Sequence, residues 1–164
     1  MLDVDRLRKV PLRTLSGEDT TFGDLTGDGA VLVVNVASRC GFTPQYEQLE
    51  ELQRTYRDHS FTVLGLPSNQ FLQEMGSEES IAQTCASRWG VTFPMTEKVR
   101  VNGRRAHPLY RTLTDAEDVD GRSGRIRWNF EKFLIAPDGR FRRFGPTTAP
   151  DAPELVDRLQ EWLS

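Results

Sequence analysis

Two runs of aliphatic and β-branched residues, "AVLVVNVA" (30–37) and "FTVLGLP" (61–67), flank a stretch with helical periodicity, and this arrangement constrains the fold more than any other feature of the chain. Continuous apolar runs without alternation belong to strands covered on both faces. Between them, "TPQYEQLEELQRTYRDH" (43–59) offers Thr43 as a helix cap and Pro44 at the first helical position. Tyr46, Leu49, Leu52 and Tyr56 fall along one stripe of that helix. Strand, helix and strand at this spacing predict a parallel βαβ unit with a right-handed crossover.

The remainder fills out one domain. "LRTLSGEDTTFGDL" (12–25) reads as a short hairpin turning at Gly17-Glu18-Asp19. After the second strand come a loop (68–76) and a helix (77–89) capped by Ser77 and stopped by Gly90. An extended segment and turn (91–103), a short helix (106–115) and a flexible polar loop, "DVDGRSGR" (118–125), follow. "FEKFLIAPDGRFRRFGP" (130–146) predicts a β-hairpin through Pro137-Asp138-Gly139, and the last residues an amphipathic helix turning Leu155, Leu159 and Trp162 inward. This order is that of a thioredoxin-like α/β fold: a central mixed sheet flanked by helices, with an N-terminal β-hairpin, in a single domain over 1–164.

Composition removes several classes of function. With 37% hydrophobic and 27% charged residues the chain reads as soluble and globular, and a net charge of −3 without a Lys/Arg block argues against nucleic-acid binding. No apolar run reaches membrane-spanning length, and "MLDVDRLRKVPLRTL" has charges where a signal peptide needs its apolar region, so a cytoplasmic location is expected. Cys40 and Cys85 are the two cysteines, and His59 and His107 the two histidines. None of the four is at metal-ligand spacing from another, so neither zinc nor a disulfide framework is expected.

Cys40 stands at the tip of the first apolar strand, three residues before the helix cap, where a helix N-terminus favours a thiolate. Gly41 permits close backbone approach, and Thr43 occupies the position where a Cys-x-x-Cys disulfide exchanger carries its second thiol. A lone activated thiol suits peroxide cleavage, which leaves a sulfenic acid in need of a resolving thiol; within the chain that is Cys85. Cleavage also needs neutral N–H donors. "NQF" (69–71), after the second strand, and "WNF" (128–130), before the hairpin, supply amide and indole groups at loops expected on one sheet edge.

Taken together, "NVASRCGFTPQYEQLEEL", "LPSNQF", "GSEESIAQ", "WGVTFPM", "VNGRRAHPLY" and "WNFEKFLIAPDGR" resemble the glutathione peroxidase family, in order and from near residue 8 to the C-terminus. The resemblance implies a thioredoxin-like fold and the reduction of hydrogen peroxide and organic hydroperoxides. It implies a catalytic tetrad in which Cys40 is the peroxidatic residue and Gln70, Trp128 and Asn129 complete the set. It implies a resolving role for Cys85. Cysteine at the nucleophile position resembles the non-selenium branch, which draws electrons from thioredoxin, with glutathione as the other candidate reductant. Ser68 stands where many relatives have a further cysteine, and "QFLQEMG" is shorter than the family's usual "QFGGQEPG", with Met75 in place of a proline. The short segment before "WNF" resembles monomeric members. No metal, haem or flavin cofactor is implied. Two alternatives stand beside this reading. One is a redox sensor, in which oxidation of Cys40 switches a partner protein. The other is a peroxiredoxin with a Thr-x-x-Cys nucleophile, which Ala37 disfavours.

Overall fold

The computed structural model describes residues 1–37, 45–68 and 90–163. A short helix, α1 (Val4–Arg8), is capped by Asp3, whose carboxylate accepts from the Arg6 N–H. β1 (Pro11–Arg13) and β2 (Asp19–Thr21) then pair antiparallel as the expected hairpin, although Asp19 belongs to the second strand rather than to the turn. Gly17 supplies the left-handed residue, with φ +88°. α2 (Phe22–Thr26) follows directly, capped by Thr21.

Both apolar runs are strands. β3 (Ala30–Val36) is buried at every position and pairs parallel with β4 (Phe61–Pro67) from Ala30↔Phe61 to Val36↔Pro67. The connection includes α3 (Gln45–Tyr56) and a 3-10 turn over Arg57–His59. β5 (Lys132–Ile135) runs antiparallel to β3, and β6 (Phe141–Phe144) closes the hairpin, so the sheet is mixed with order β4-β3-β5-β6.

Alternation along the strands sorts side chains onto two faces. Leu32, Val34, Val36 and Leu134 meet Tyr46, Leu49 and Leu52 of α3 and Leu155, Leu159 and Trp162 of α5 (Pro153–Leu163). Val31, Val33, Phe133 and Ile135 meet Leu7, Phe22 and the inner face of α4 (Pro108–Asp115), namely Leu109, Tyr110 and Leu113. His107 caps α4, its Nδ1 accepting from the Leu109 N–H at 3.1 Å, with Pro108 at the first helical position.

Beyond Gly90 the chain lies along the outer edge of β4. The Gly65 N–H donates to the Pro94 carbonyl at 3.0 Å, and the Thr96 N–H donates to the Gly65 carbonyl at 3.1 Å. A side chain at Gly65 would meet the Phe93 ring at 3.0 Å, which explains the glycine. Buried Glu50 of α3 accepts from both the N–H and the hydroxyl of Thr92, and from Arg54. Burial pushes the Glu50 carboxyl up, but these donors outweigh it and hold the group below its ordinary range.

The polar loop expected over 118–125 is exposed at 119–125, yet its backbone is pinned rather than flexible. Asp118 is buried and accepts from the N–H groups of Asp120, Arg122 and Arg143. The Asn102 side chain both accepts from the Ile126 N–H and donates to its carbonyl, at 2.8 and 2.6 Å. Arg143 of β6 donates to the Gly124 carbonyl at 2.8 Å. Ile126 is wholly buried.

Candidate active site

The equal endings of β3 and β4 define one edge of the sheet. β3 stops four positions before Cys40, and β4 stops three positions before Gln70. At that edge the antiparallel partner, β5, begins. The turn just before it carries Trp128 and Asn129, so these two expected site residues sit together at the place where both parallel strands finish. Cys40, Gln70 and Cys85 lie outside the described residues.

Trp128 and Asn129 differ in kind. Trp128 is 38% exposed, an unusual state for an indole, whereas Asn129 is fully buried. Neither the Oδ1 nor the Nδ2 of Asn129 has a hydrogen-bond partner among the described residues. A buried amide group left unsatisfied costs on the order of 1–3 kcal/mol, so such a side chain calls for a reason other than stability. Phe130 adds strain. Its φ of +64° lies in the left-handed region, where a bulky side chain is rare. Tyr46 holds the Phe130 ring edge-on at 5.5 Å between centroids.

The backbone of this turn is fastened from two sides. Asn35, the one polar residue of β3, donates from Nδ2 to the Trp128 carbonyl at 3.1 Å and accepts at Oδ1 from the Glu131 N–H at 3.1 Å. Its own carbonyl accepts from the Phe130 N–H at 2.7 Å. From the hairpin, Lys132 Nζ donates to the Phe130 carbonyl at 2.8 Å and to the Gly145 carbonyl at 3.4 Å. Lys132 is wholly buried, and that burial lowers its pKa to about 7 in spite of the neighbouring Glu131 charge. Burial likewise raises the Glu131 carboxyl above its ordinary value, opposed by the paired Arg143 and by Lys132 and Arg127. Arg143 directs two N–H groups at one Glu131 oxygen and lies 4.7 Å over the Phe133 ring.

Sequence reasoning missed Asn35, Lys132 and the Glu131–Arg143 pair. The available signal was a polar residue inside an apolar strand, at Asn35 in "AVLVVNVA" and at Lys132 in "FEKFLIA". Among the described residues no cluster of three or more His, Cys, Asp or Glu side chains forms a metal site, and no helix is long and apolar enough to cross a membrane.

A family model described as "Glutathione peroxidase" matches residues 7–114, and the "Thioredoxin/glutathione peroxidase BtuE" of Escherichia coli K12 is 42% identical, the alignment covering 95% of this chain and 96% of that protein. The chain belongs to the glutathione peroxidase family. Among solved structures, the crystal structure of T. cruzi GPX1 superposes with a TM-score of 0.71 at 31% identity, covering 93% of each chain. A thiol:disulfide interchange protein of the thioredoxin family from Chlorobium tepidum gives a TM-score of 0.65 at 18% identity, covering 96% of this chain and 98% of its own. That likeness shows the fold alone, which is thioredoxin-like as the element order predicts. The glutathione peroxidase model spans Cys40, Gln70 and Cys85 and ends before Trp128 and Asn129, a region that the fold brings to the same sheet edge.

Proposed function

We propose that the chain is a single-domain, monomeric, cytoplasmic thiol peroxidase that reduces hydrogen peroxide and organic hydroperoxides. The observation that carries this reading is the buried Asn129 amide without a hydrogen-bond partner among the described residues, beside half-exposed Trp128, at the edge where the strands leading to Cys40 and Gln70 end. Neutral N–H donors held in place can stabilise a thiolate and a departing oxygen without competing for the proton. The Cys40 thiolate attacks one peroxide oxygen and the O–O bond breaks. Two electrons pass from sulfur to the peroxide, and the leaving hydroxide or alkoxide takes up a proton to depart as water or alcohol. Gln70, Trp128 and Asn129 donate to the sulfur and to the leaving oxygen. The Cys40 sulfenic acid condenses with the Cys85 thiol, releasing water and forming a disulfide, which a dithiol donor reduces by thiol–disulfide exchange. Thioredoxin is the donor in this scheme. The name of the E. coli relative includes both thioredoxin and glutathione, which supports setting the two reductants against each other.

The test is hydroperoxide-dependent NADPH oxidation coupled either to thioredoxin and its reductase or to glutathione and its reductase. Wild type should turn over with thioredoxin, Cys40→Ser should lose all activity, and Cys85→Ser should lose the thioredoxin-supported part. Full thioredoxin-dependent activity in Cys85→Ser would remove the resolving step. Oxidation of Cys40 without turnover in either system would replace the enzyme by a redox sensor.

A further inference from the structure

The antiparallel ladder between β3 and β5 has its last paired residues at Val34↔Lys132. One residue further on, Asn35 continues the contact in a different way. Its carbonyl receives the Phe130 N–H, and its carboxamide bridges the Trp128 carbonyl and the Glu131 N–H. These bonds reach a peptide group on each side of Asn129 and hold Phe130 in its left-handed conformation. The bridge needs one donor and one acceptor on the same short, fully buried side chain, a demand met by a carboxamide and by neither a carboxylate nor an aliphatic group.

We infer that Asn35 is the positioning residue of the site: its carboxamide fixes the turn that presents Trp128 and Asn129, and it acts on the reaction through them. This rests on the peroxidase reading, in which those two residues donate to the sulfur and the leaving oxygen. A turn free to relax would let the Asn129 amide find partners elsewhere and would relieve the strain at Phe130. Asn35 opposes both from the strand that leads to Cys40. It therefore ties the donors to the chain that carries the nucleophile. Lys132, on the Phe130 carbonyl, braces the same turn from the opposite side.

The experiment is a mutant cycle on the second-order rate of Cys40 oxidation by hydrogen peroxide, followed by stopped flow on the reduced protein. Asn35→Leu, which removes both side-chain bonds at similar size, should slow oxidation roughly 10- to 100-fold, the scale expected when catalytic groups are misplaced by an ångström. Asn35→Ser, which keeps a small polar side chain too short to bridge the Trp128 carbonyl and the Glu131 N–H together, should slow it in the same direction and decides the matter if the leucine variant does not fold. In the Trp128→Phe/Asn129→Ala background the Asn35 substitutions should have little further effect, because the groups they position are gone. A merely structural role would instead lower the rate by the same factor in both backgrounds, and that result, or an unchanged rate in the folded Asn35 variants, would overturn the inference. Should Trp128→Phe/Asn129→Ala itself leave the rate at the wild-type value, the peroxidase reading of those residues fails first and the positioning role goes with it.

Discussion

β3 and β5 lie side by side in one sheet and are built on opposite plans. β3 is apolar along its whole length apart from Asn35, and it holds its place by burial on both faces. β5 opens with buried Lys132, follows buried Glu131, and pairs with the strand that carries buried Arg143. The first plan tolerates any side chain of suitable volume, since the hydrophobic effect has no direction. The second is directional. Arg143 donates to the Gly124 carbonyl and to the Glu131 carboxylate, and Lys132 donates to the Phe130 and Gly145 carbonyls, so the hairpin reaches the loop over 118–127 and the turn over 128–131 through directed bonds. The apolar strand makes the sheet; the charged hairpin decides where the loops around it stand.

The sharpest way to break this contrast is Arg143→Met, which leaves Glu131 buried without its partner. A loss of about 3–5 kcal/mol in urea denaturation is expected, with faster proteolysis within 118–127. The double variant Glu131→Leu/Arg143→Met should recover most of the stability and not the protease resistance of the loop, because the bond to the Gly124 carbonyl stays lost. If the single variant is as stable as wild type, the contrast is false.

Lys132→Met tests the same hairpin through pH. The folded-state pKa of Lys132 is about 7, against an ordinary 10.5, so between these values the unfolded chain binds a proton that the folded chain does not. Stability contributed by this site therefore rises with pH across that window, at up to about 1.4 kcal/mol per pH unit. The difference in urea midpoint between wild type and Lys132→Met, measured from pH 7 to 10, should show that slope. A constant difference would mean that Lys132 is charged in the folded protein throughout.

The smallest effect expected lies outside the sheet and sets its scale. His107→Ala should cost about 1 kcal/mol at pH 8 by removing the cap of α4. Burial holds the His107 pKa below its ordinary 6.5, with Pro11 and Glu97 opposing. The unfolded chain thus takes up the proton first, and the stabilising contribution should fade as pH drops below about 6.5 in thermal melts. His107→Ala should lack this fading.

Much of the fold was legible because it rests on apolar periodicity. The β3–α3–β4 unit, the β5–β6 hairpin and the inward stripe of α5 all follow from patterns that burial alone explains. The proposed site residues came differently, from the motifs around Cys40, Gln70, Trp128 and Asn129, and the structure describes the last two of these. Asn35 escaped notice because a single amide does not disturb the hydropathy of a strand, and its partners lie more than ninety residues away in the chain. The 118–127 loop is solvated, as its composition suggests, and its pinning escaped notice for a related reason. Its glycines and arginines carry the composition of a solvated turn, while the groups that order it, Asp118, Asn102 and Arg143, act through backbone atoms that composition does not reveal.

The bonds from Glu50 to Thr92 and from Gly65 to Pro94 and Thr96 have a consequence for chain entropy. Together with the Ser68 N–H, which donates to the Val36 carbonyl at 3.2 Å, they anchor the backbone on both sides of the segment that contains Gln70 and Cys85. The core therefore fixes the distance between the two ends, and the entropy cost of bringing them together is met by bonds that lie outside the segment.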